Sequence, residues 1–312
     1  MSEHIHFSSP CAVIGANGYL GSHLAFILER SGCTVYRFDI HPESQFPANQ
    51  YRKLDIRSKA DFSIIPENTG TVFFFSGLTG THAGFDAYED YLASNELGLL
   101  HLLDCIREWE NPPRVVFPST RLVYRGSPLP LDEDAPKEAK TVYAANKLAA
   151  EHQLQAWSNR WGIPYTICRI CVPYGTLFQT GYSFGTIGFF LKMARRNGCI
   201  TLYGDGTSKR TFTHIEDLCN QVIMLAGSPD ATNRTFNIAG EHLTLDEAAH
   251  QIAAHYGAAV EYTAWPVADL LVESGDTMFD DARIRRLVRE PVGHALKEWI
   301  MGLKEDQTDE KY

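Results

Sequence analysis

A glycine-rich segment near the start of the chain constrains the fold more than any other feature. It reads Gly15-Ala-Asn-Gly18-Tyr-Leu-Gly21, with three glycines at GxxGxxG spacing. The apolar run before it, 11–15, is typical of a buried parallel strand, and apolar residues at helical spacing follow over 19–30. A strand, a glycine turn and a helix in this order bring backbone N–H groups to a pyrophosphate at the helix N-terminus. A turn that binds nothing is the alternative, and the surrounding sequence decides between the two.

Strand-like and helix-like segments alternate through the first half of the chain. Strand-like runs cover 34–38, 71–75, 114–117 and 165–172, and helical periodicity covers 88–110 and 141–161. This alternation predicts an α/β fold with a Rossmann-type doubly wound parallel sheet. After Pro173 the alternation loosens among glycines and aromatic residues. We therefore expect a dinucleotide-binding domain over 1–175 and a smaller, partly interleaved substrate domain mainly over 176–312. A segment about 205–240 would return to the first domain.

The composition of the chain argues against several classes of protein. The 312 residues carry 28 Lys and Arg against 38 Asp and Glu, a formal net charge of −10, which argues against a nucleic-acid partner. No apolar run reaches the ~18–20 residues that span a bilayer, so we expect no membrane association. Seven scattered cysteines favour reduced thiols in a cytoplasmic protein. Cys168 and Cys171 form a CxxC in a strand-like run and are interpreted as buried structural thiols. No histidine spacing is typical of a metal site, so none is predicted.

A carboxylate supports the dinucleotide interpretation of the glycine turn. Asp39 ends the second predicted strand, 18 residues after Gly21. An acid at about this offset accepts hydrogen bonds from the adenosine ribose hydroxyls and repels a 2′-phosphate, which favours NAD over NADP. An ordinary turn residue at a strand end is the alternative.

Three further side chains suggest proton chemistry. Tyr143 and Lys147 lie one helical turn apart on the same face. A nearby cation would lower the tyrosine pKa from its reference value of about 10, so that the phenol can exchange a proton while hydride moves to or from nicotinamide. Thr120 follows the strand 114–117, where its hydroxyl could hold the reacting oxygen. A solvated pair of side chains and a turn-capping threonine are the alternatives.

In these residues the chain resembles the extended short-chain dehydrogenase/reductase family of NAD-dependent sugar-nucleotide epimerases and dehydratases. The shared stretches run in order from residue 11 to about 240. Besides the motifs above they comprise Asp55-Ile56, Phe75-Ser-Gly-Leu78, Asn95, Ser119-Thr120, Val123-Tyr124, Arg169, Tyr203-Gly-Asp-Gly206, Arg210 and His214-Ile-Glu-Asp217.

The resemblance implies roles for individual residues. The implied NAD site consists of Gly15, Gly18, Tyr19, Leu20 and Gly21 at the pyrophosphate, Asp39 at the ribose, Asp55 and Ile56 at the adenine, Ser76, Gly77 and Leu78 on the nicotinamide side, and Asn95 in support of the Tyr–Lys region. Thr120, Tyr143 and Lys147 match the catalytic positions, with Lys147 also bonded to the nicotinamide ribose. Arg210 matches the arginine that clamps the substrate diphosphate. A homodimer formed through the helices 88–110 and 141–161 is also implied.

Two departures from the family pattern bear on the reaction. Dehydratases of this family carry an Asp-Glu pair after the threonine, whereas Thr120 is followed by Arg121-Leu122. Elimination of water needs such proton carriers, so a dehydratase is disfavoured. Val172 stands where many members carry an asparagine that contacts the substrate phosphate. The sequence thus predicts an NAD-dependent epimerase of a nucleotide-activated sugar, acting at C4 through a 4-keto intermediate. The alternatives are an NAD(P)H-dependent 4-ketoreductase and a non-catalytic cofactor sensor.

Overall fold

The strands of the protein fall into three sheets. The structure, a computed structural model, describes residues 10–46, 48, 50–178 and 184–303. The strands are β1 (Cys11–Ile14), β2 (Val35–Asp39), β3 (Tyr51–Lys53), β4 (Thr71–Phe74), β5 (Arg114–Thr120), β6 (Tyr165–Ile170), β7 (Val172–Tyr174), β8 (Cys199–Tyr203), β9 (Lys209–His214), β10 (Arg234–Asn237), β11 (Glu241–Thr244) and β12 (Ala259–Thr263). The helices are α1 (Tyr19–Arg30), α2 (Ala83–Asp86), α3 (Tyr88–Leu92), α4 (Gly98–Ile106), α5 (Val142–Trp161), α6 (Gly185–Asn197), α7 (Ile215–Gly227), α8 (Leu245–Tyr256), α9 (Val267–Val272) and α10 (Leu296–Met301).

The largest sheet has seven parallel strands in the order β10-β6-β5-β4-β1-β2-β3. The chain builds outward from β1 to β3, then crosses to the other side of β1 and builds outward again from β4. Between β1 and β4 the strand order therefore reverses, which opens a crevice at the carboxyl ends of the strands. The predicted α/β, Rossmann-type sheet is confirmed.

Both faces of this sheet are buried, as the unbroken apolar strands require. Along β1, Cys11 and Val13 belong to one hydrophobic core and Ala12 and Ile14 to the other. The first core receives side chains from α1 and α7, and the second from α4 and α5. The sheet is thus packed between two helical layers. This packing fixes the strand ends from which the loops at the crevice start.

The helix predicted over 88–110 has more internal structure than its periodicity indicates. A π-helical turn, Ala93–Leu97, separates α3 from α4, and α4 ends at Ile106. The predicted strand 165–172 is likewise divided, because β6 ends at Ile170 and β7 leaves for a second sheet. Such π-turns often occur at functional sites, since they shift the side chains of one helix face.

The remaining strands form two small sheets around a third hydrophobic core. One has the order β11-β9-β7 and the other pairs β12 with β8, and α6, α8 and α10 contribute to that core. The chain returns to the main sheet at β10, which pairs with β6. The domain boundaries given above stay a prediction. Across the described ranges, no helix combines the length and the apolar character needed to cross a bilayer.

Candidate active site

The glycine turn after β1 contains three glycines that serve two different purposes. Gly15 has a φ of +89°, and a Cβ there would lie 2.7 Å from the Phe75 backbone. A Cβ on Gly21 would overlap the Gly15 carbonyl oxygen. Gly18, in contrast, is exposed, and a Cβ there would meet only the Gly15 oxygen at 3.2 Å. Gly15 and Gly21 therefore close the turn, and Gly18 presents bare backbone to the crevice.

The carboxylate of Asp39 lies beside this turn. Its Oδ2 accepts a hydrogen bond from the Asn17 backbone N–H at 2.9 Å, and its Oδ1 accepts one from the His41 N–H at 3.3 Å. Both residues line, with Asp39, a cleft of about 400 Å³. The cleft is also lined by Gly15, Gly18, Ile40, Leu54, Asp55, Ile56, Arg57, Phe75, Ser76, Gly77, Leu78, Asp90 and Ser94. The glycine turn, Asp39 and the loop after β4 are thus brought to one cleft.

Asp55 and Ile56 form its far wall. The Asp55 carboxylate accepts two hydrogen bonds from the Arg57 guanidinium, at 3.0 and 2.8 Å, which lower the pKa of Asp55. Ile56 packs against Gly98 of α4, and its carbonyl oxygen lies 3.0 Å from Nδ1 of His101. The Asp55 carboxylate that lines the cleft is therefore already paired with the Arg57 guanidinium.

Asn95 acts from behind the loop that follows β4. From the π-turn its Oδ1 accepts the Leu78 N–H at 2.8 Å, and its Nδ2 donates to the Leu78 carbonyl at 3.0 Å. Gly77 has a φ of +147°, and a Cβ there would lie 2.6 Å from Asn95 Oδ1. Asn95 is not among the residues lining the cleft, so it holds Gly77 and Leu78 in position.

A second, inner cavity of about 190 Å³ adjoins the cleft. Phe75, Ser76 and Gly77 line both. The other residues lining the inner cavity are Leu20, Thr79, Pro118, Ser119, Thr120, Tyr143, Lys147, Ile170, Cys171, Pro173 and Phe184. The structure therefore brings Thr120, Tyr143 and Lys147 together, next to the cleft that the glycine turn borders.

Burial dominates the electrostatics of Tyr143 and Lys147. It raises the pKa of Tyr143 to about 12, although a hydrogen bond with Thr120 opposes the shift. It lowers the pKa of Lys147 to about 7, against the attraction of Glu151. The lysine Nζ donates to the Pro118 carbonyl at 2.8 Å and lies 5.9 Å from the centre of the Tyr143 ring. The expectation that Lys147 lowers the Tyr143 pKa is therefore wrong for the protein alone, because burial disfavours both charged forms.

Arg210 and Tyr19 lie outside both groups of lining residues. The buried Arg210 guanidinium donates from Nη2 to Glu273 Oε1 at 2.6 Å and from Nη1 to two backbone carbonyls. The Tyr19 hydroxyl donates to the Gly175 carbonyl at 2.8 Å, and its ring stacks on Phe184, a residue of the inner cavity. Tyr19 thus supports the cavity wall, whereas Arg210 lines neither cavity and is paired with the Glu273 carboxylate.

Glu151 is a buried residue beside Lys147 that the motifs in the sequence did not identify. It accepts hydrogen bonds from the Ser119 hydroxyl at 2.5 Å and from two nitrogens of Arg169 at 2.9 and 2.6 Å. It also favours the charged form of Lys147. The spacing of Tyr143, Lys147 and Glu151, four residues apart each time, could have indicated it, because such residues share one helix face.

The His214 motif forms a small polar cluster beside β9. The His214 ring stacks on that of His294 with centroids 4.2 Å apart, and its Nδ1 accepts the Glu216 N–H at 3.3 Å. One potential ligand atom from each of these three side chains lies within 4.8 Å of the others. The absence of a metal site stays a prediction.

The fold and the site together define a class of protein. A parallel sheet in this strand order, with a glycine turn at its switch point, is the architecture of Rossmann-type dinucleotide-binding proteins. The chain belongs to the NAD dependent epimerase/dehydratase family, whose family model matches residues 11–239. The family resemblance read from the sequence is confirmed: the protein is an enzyme of this family, and its cofactor is NAD.

Known proteins resemble the chain over most of its length. An uncharacterised UDP-glucose epimerase of Bacillus subtilis, YtcB, is 26% identical over 247 residues, covering 73% of this chain and 76% of that protein. The structure of UDP-glucuronic acid 4-epimerase from Bacillus cereus, with UDP-glucuronic acid and NAD, superposes with a TM-score of 0.81 at 19% identity and covers 93% of this chain and 96% of the other. MoeE5, in complex with UDP-glucuronic acid and NAD, gives a TM-score of 0.79 at 24% identity and covers 94% and 97%. At these identities the two structures establish the shared fold.

Proposed function

We propose that the protein is an NAD-dependent epimerase that inverts C4 of a nucleotide-activated sugar. The observation that carries the proposal is the inner cavity, where Tyr143 and Thr120 adjoin the cleft while the residue after Thr120 is an arginine. With NAD as the reversible hydride acceptor, epimerisation requires of the protein's own side chains only proton exchange at the reacting hydroxyl. Loss of water would need a further acid and base, and Arg121 provides neither.

The cleft fits NAD by its shape and its donors. At Gly18 the turn leaves bare backbone where a Cβ would obstruct a pyrophosphate, and the N-terminus of α1, which has no side-chain cap, lies at this turn. Asp39 would bind the adenosine ribose, and Asp55 and Ile56 the adenine. Leu20, Ser76 and Leu78 would border the nicotinamide, near Tyr143.

The chain's own residues would move the proton. Bound NAD supplies a reversible acceptor for hydride. At neutral pH a Tyr143 with a pKa of about 12 is a phenol, which can donate its proton to a sugar carbonyl. For the opposite step the phenolate needs stabilisation, which Thr120 provides by hydrogen bonding and protonated Lys147 by its charge. A Lys147 pKa of about 7 lets that charge respond to a ligand in the cavity.

The names of the relatives support the nucleotide sugar as substrate. YtcB is described as a UDP-glucose epimerase, and the Bacillus cereus structure is a 4-epimerase with UDP-glucuronic acid bound. We therefore propose a uridine diphosphate sugar as the first substrate to test. Arg210 would clamp its diphosphate after exchanging Glu273, and Val172, buried in β7, would leave the usual asparagine contact unmade.

Two further proposals concern the oligomeric state of the protein and its location in the cell. A homodimer is supported by exposed apolar side chains on the segment that contains α3 and the π-turn, including Leu92 and Leu97. A cytoplasmic location is supported by the seven cysteines, all described and all free thiols.

The test is an isomerisation assay on purified protein with its NAD content measured. UDP-glucose and UDP-glucuronic acid are incubated separately and followed by proton NMR at the sugar C4 position. We expect equilibration of the two C4 isomers of one sugar with no net consumption of nicotinamide. Stoichiometric oxidation of added NADH by a 4-keto sugar would instead identify the ketoreductase. Failure of every UDP-sugar and dTDP-sugar to isomerise on NAD-loaded protein would contradict the proposal.

A further inference from the structure

Three consecutive residues at the end of β5 are hydrogen-bonded to three residues of α5 that lie four positions apart. The pairs are Pro118 with Lys147, Ser119 with Glu151 and Thr120 with Tyr143. Residues at this helical spacing share one face of α5, so the strand end and the helix face are joined by a ladder of three contacts. Two of the pairs contain the groups that would exchange the proton. The pair of Ser119 and Glu151 exchanges no proton in the proposed reaction.

Glu151 is held by donors from two neighbouring strands of the main sheet. The Ser119 hydroxyl donates to its Oε1 at 2.5 Å. Arg169 of β6 donates to Oε1 from Nε at 2.9 Å and to Oε2 from Nη2 at 2.6 Å. Ser119 and Arg169 are direct partners in the register of β5 and β6, and all three side chains are buried. One carboxylate of α5 therefore fixes the helix against both strands.

The ladder forms part of the wall of the inner cavity. The cavity is lined by five of the six paired residues, all but Glu151. A shift of α5 along β5 would change the separation of the Tyr143 and Thr120 hydroxyls. It would also lengthen the contact between the Lys147 Nζ and the Pro118 carbonyl, which are 2.8 Å apart. Because misplacement of a reacting group by about 1 Å can cost ~10²-fold in rate, the bond outside the cavity controls the geometry inside it.

The ionisable groups around Lys147 give Glu151 a second effect. Tyr143 and Glu151 lie one turn to either side of the lysine on the same face of α5, and Arg169 of β6 is paired with Glu151. The packed strand β5 contributes the Pro118 carbonyl, which accepts from the amine. The carboxylate and this hydrogen bond both favour the charged amine, and Glu151 opposes the lowering of the Lys147 pKa by burial.

We propose that Glu151 is a positioning residue, which holds Ser119 and so fixes the end of β5 against the helix that carries Tyr143 and Lys147. This inference rests on the proposed function. Glu151 does not line the cavity, and it acts through the Ser119 hydroxyl and the Pro118 carbonyl. Loss of the Ser119 contact should therefore slow turnover and leave the binding of NAD and of the nucleotide intact.

The variants separate this contact from stability in general. Ser119→Ala removes the hydroxyl, and Ser119→Thr restores it. Thr166→Val is the matched control, because it removes a buried hydrogen bond of β6, from the Thr166 hydroxyl to the Ala231 carbonyl at 3.0 Å, away from both cavities. Glu151→Gln removes the carboxylate charge. It also leaves Arg169 buried with a weaker partner and can unfold the protein, so the Ser119 variants carry the test.

Turnover and binding are measured on NAD-loaded protein with a UDP-sugar that the wild type isomerises. We expect Ser119→Ala to lower kcat ~10- to 100-fold, with the dissociation constants of NAD and UDP changed by less than about threefold. Ser119→Thr should recover at least about a third of the wild-type kcat. Thr166→Val should lower the melting temperature about as much as Ser119→Ala does, yet keep kcat within about twofold of the wild type.

A second readout does not need turnover. Full-length protein without NAD is labelled with carbon-13 at lysine Cε, and the Lys147 resonance is the one missing from Lys147→Met. In Ser119→Ala the ammonium loses a well-placed acceptor, so the NMR titration midpoint of Lys147 should fall by about 0.5 in pH. In Thr166→Val the midpoint should not move. In folded Glu151→Gln the loss of the counter-charge should lower it by about 1 or more.

Three results would overturn the inference. The first is a Ser119→Ala enzyme whose kcat stays within about threefold of the wild type. The second is an equal fall of kcat in Thr166→Val, which would assign the effect to stability. The third is an unchanged Lys147 midpoint in Ser119→Ala. A wild type that isomerises no nucleotide sugar would reject the epimerase alone, and a lowered midpoint in Ser119→Ala would then still assign the positioning of Lys147 to the ladder.

Discussion

At the scale of single residues, Tyr143 and Lys147 line the same cavity, and burial disfavours the charged form of each. Burial raises the pKa of Tyr143 and lowers that of Lys147. At neutral pH the phenol is therefore protonated and the amine is near the midpoint of its titration. A ligand that brings charge into the inner cavity changes both equilibria together. The pair is therefore sensitive to what occupies the cavity.

Replacing Tyr143 by Phe should remove turnover and leave binding intact. The phenol oxygen is the group placed to exchange a proton, and such exchange contributes about 10²- to 10⁴-fold to a rate. We expect kcat to fall at least about 10²-fold, with the affinity for UDP-sugar changed by less than about threefold. Tyr256→Phe at the end of α8 is the matched control and should keep wild-type kcat. Near-normal turnover by Tyr143→Phe would remove the tyrosine from the mechanism.

Lys147 should make stability depend on pH in a defined direction. Its pKa is about 7 in the folded protein and about 10.4 in an unfolded chain. Between those values the unfolded chain binds a proton that the folded protein does not, so stability rises with pH. Burying the Lys147 charge lowers the free energy of unfolding by its full amount below pH ~7, and this destabilisation disappears above pH ~10.

The measurement is urea unfolding of NAD-free protein at pH ~7 and ~10. The free energy of unfolding of wild type minus that of Lys147→Met should increase by about 3–4 kcal/mol over this interval. Lys192→Met, which removes an exposed lysine of α6, should show no such change. A constant difference between wild type and Lys147→Met would mean that Lys147 has an unshifted pKa.

The sequence could predict which residues meet at the inner cavity but not their electrostatics. Tyr143 and Lys147 share a helix face by spacing, and Thr120 follows a strand whose end must lie at the crevice. The direction in which the Tyr143 pKa shifts depends on how deeply the fold buries the phenol. The spacing of residues in the sequence carries no information on that burial. The pairing of Arg210 with Glu273 joins residues 63 positions apart through tertiary contacts alone.

At the scale of elements, the glycine turn and the π-turn both contact the loop after β4 and hold it between them. Gly15 packs on the backbone of Phe75 and Ser76, and Asn95 holds Leu78. The glycine turn was evident from the sequence, because only glycine tolerates such contacts. The π-turn was not, because Leu92 and Leu99 are seven residues apart, as on one face of a regular helix, yet Leu92 is exposed and Leu99 is buried.

Two alanine substitutions in the glycine turn should have different effects. Gly21→Ala places a Cβ against the Gly15 carbonyl, which cannot move without shifting β1, so we expect a loss of about 1–3 kcal/mol in stability together with loss of NAD. Gly18→Ala meets little protein but obstructs the cleft. It should unfold within about 1 kcal/mol of the wild type yet bind NAD at least ~10-fold more weakly. Thermal unfolding and NAD titration measure the two quantities. Equal stability of both variants would show that Gly21 is not packed in this way.

At the scale of the whole molecule, a buried polar network joins distant parts of the chain. Arg169 of β6 is paired with Glu151 of α5, and its Nη1 donates to the Tyr124 hydroxyl at 2.7 Å. The Tyr124 hydroxyl in turn donates to Asn237 of β10 at 2.6 Å. Breaking such a network is far more costly than breaking a surface pair, because it leaves buried charge unpaired. The inner cavity therefore has a wall whose position is fixed by segments separated by more than a hundred residues.

The proposed dimer depends on an apolar surface along α2, α3 and the π-turn. The side chains of Phe85 in α2, Tyr88 and Leu92 in α3 and Leu97 in the π-turn are each more than two fifths exposed. Apolar groups gathered in this way typically mark an interface. Leu92→Glu combined with Leu97→Glu would place two charges in the interface, where they cannot be solvated.

We therefore expect light scattering after gel filtration to give twice the 35.0 kDa chain mass for the wild type and a single chain mass for the double variant. Leu129→Glu is the matched control, because Leu129 is 70% exposed on a loop outside this surface, and it should remain dimeric. The residues of the candidate active site all come from one chain, so the monomeric variant should retain NAD and turnover to within about threefold. A monomeric wild type, or a double variant that stays dimeric, would remove this surface from the assembly.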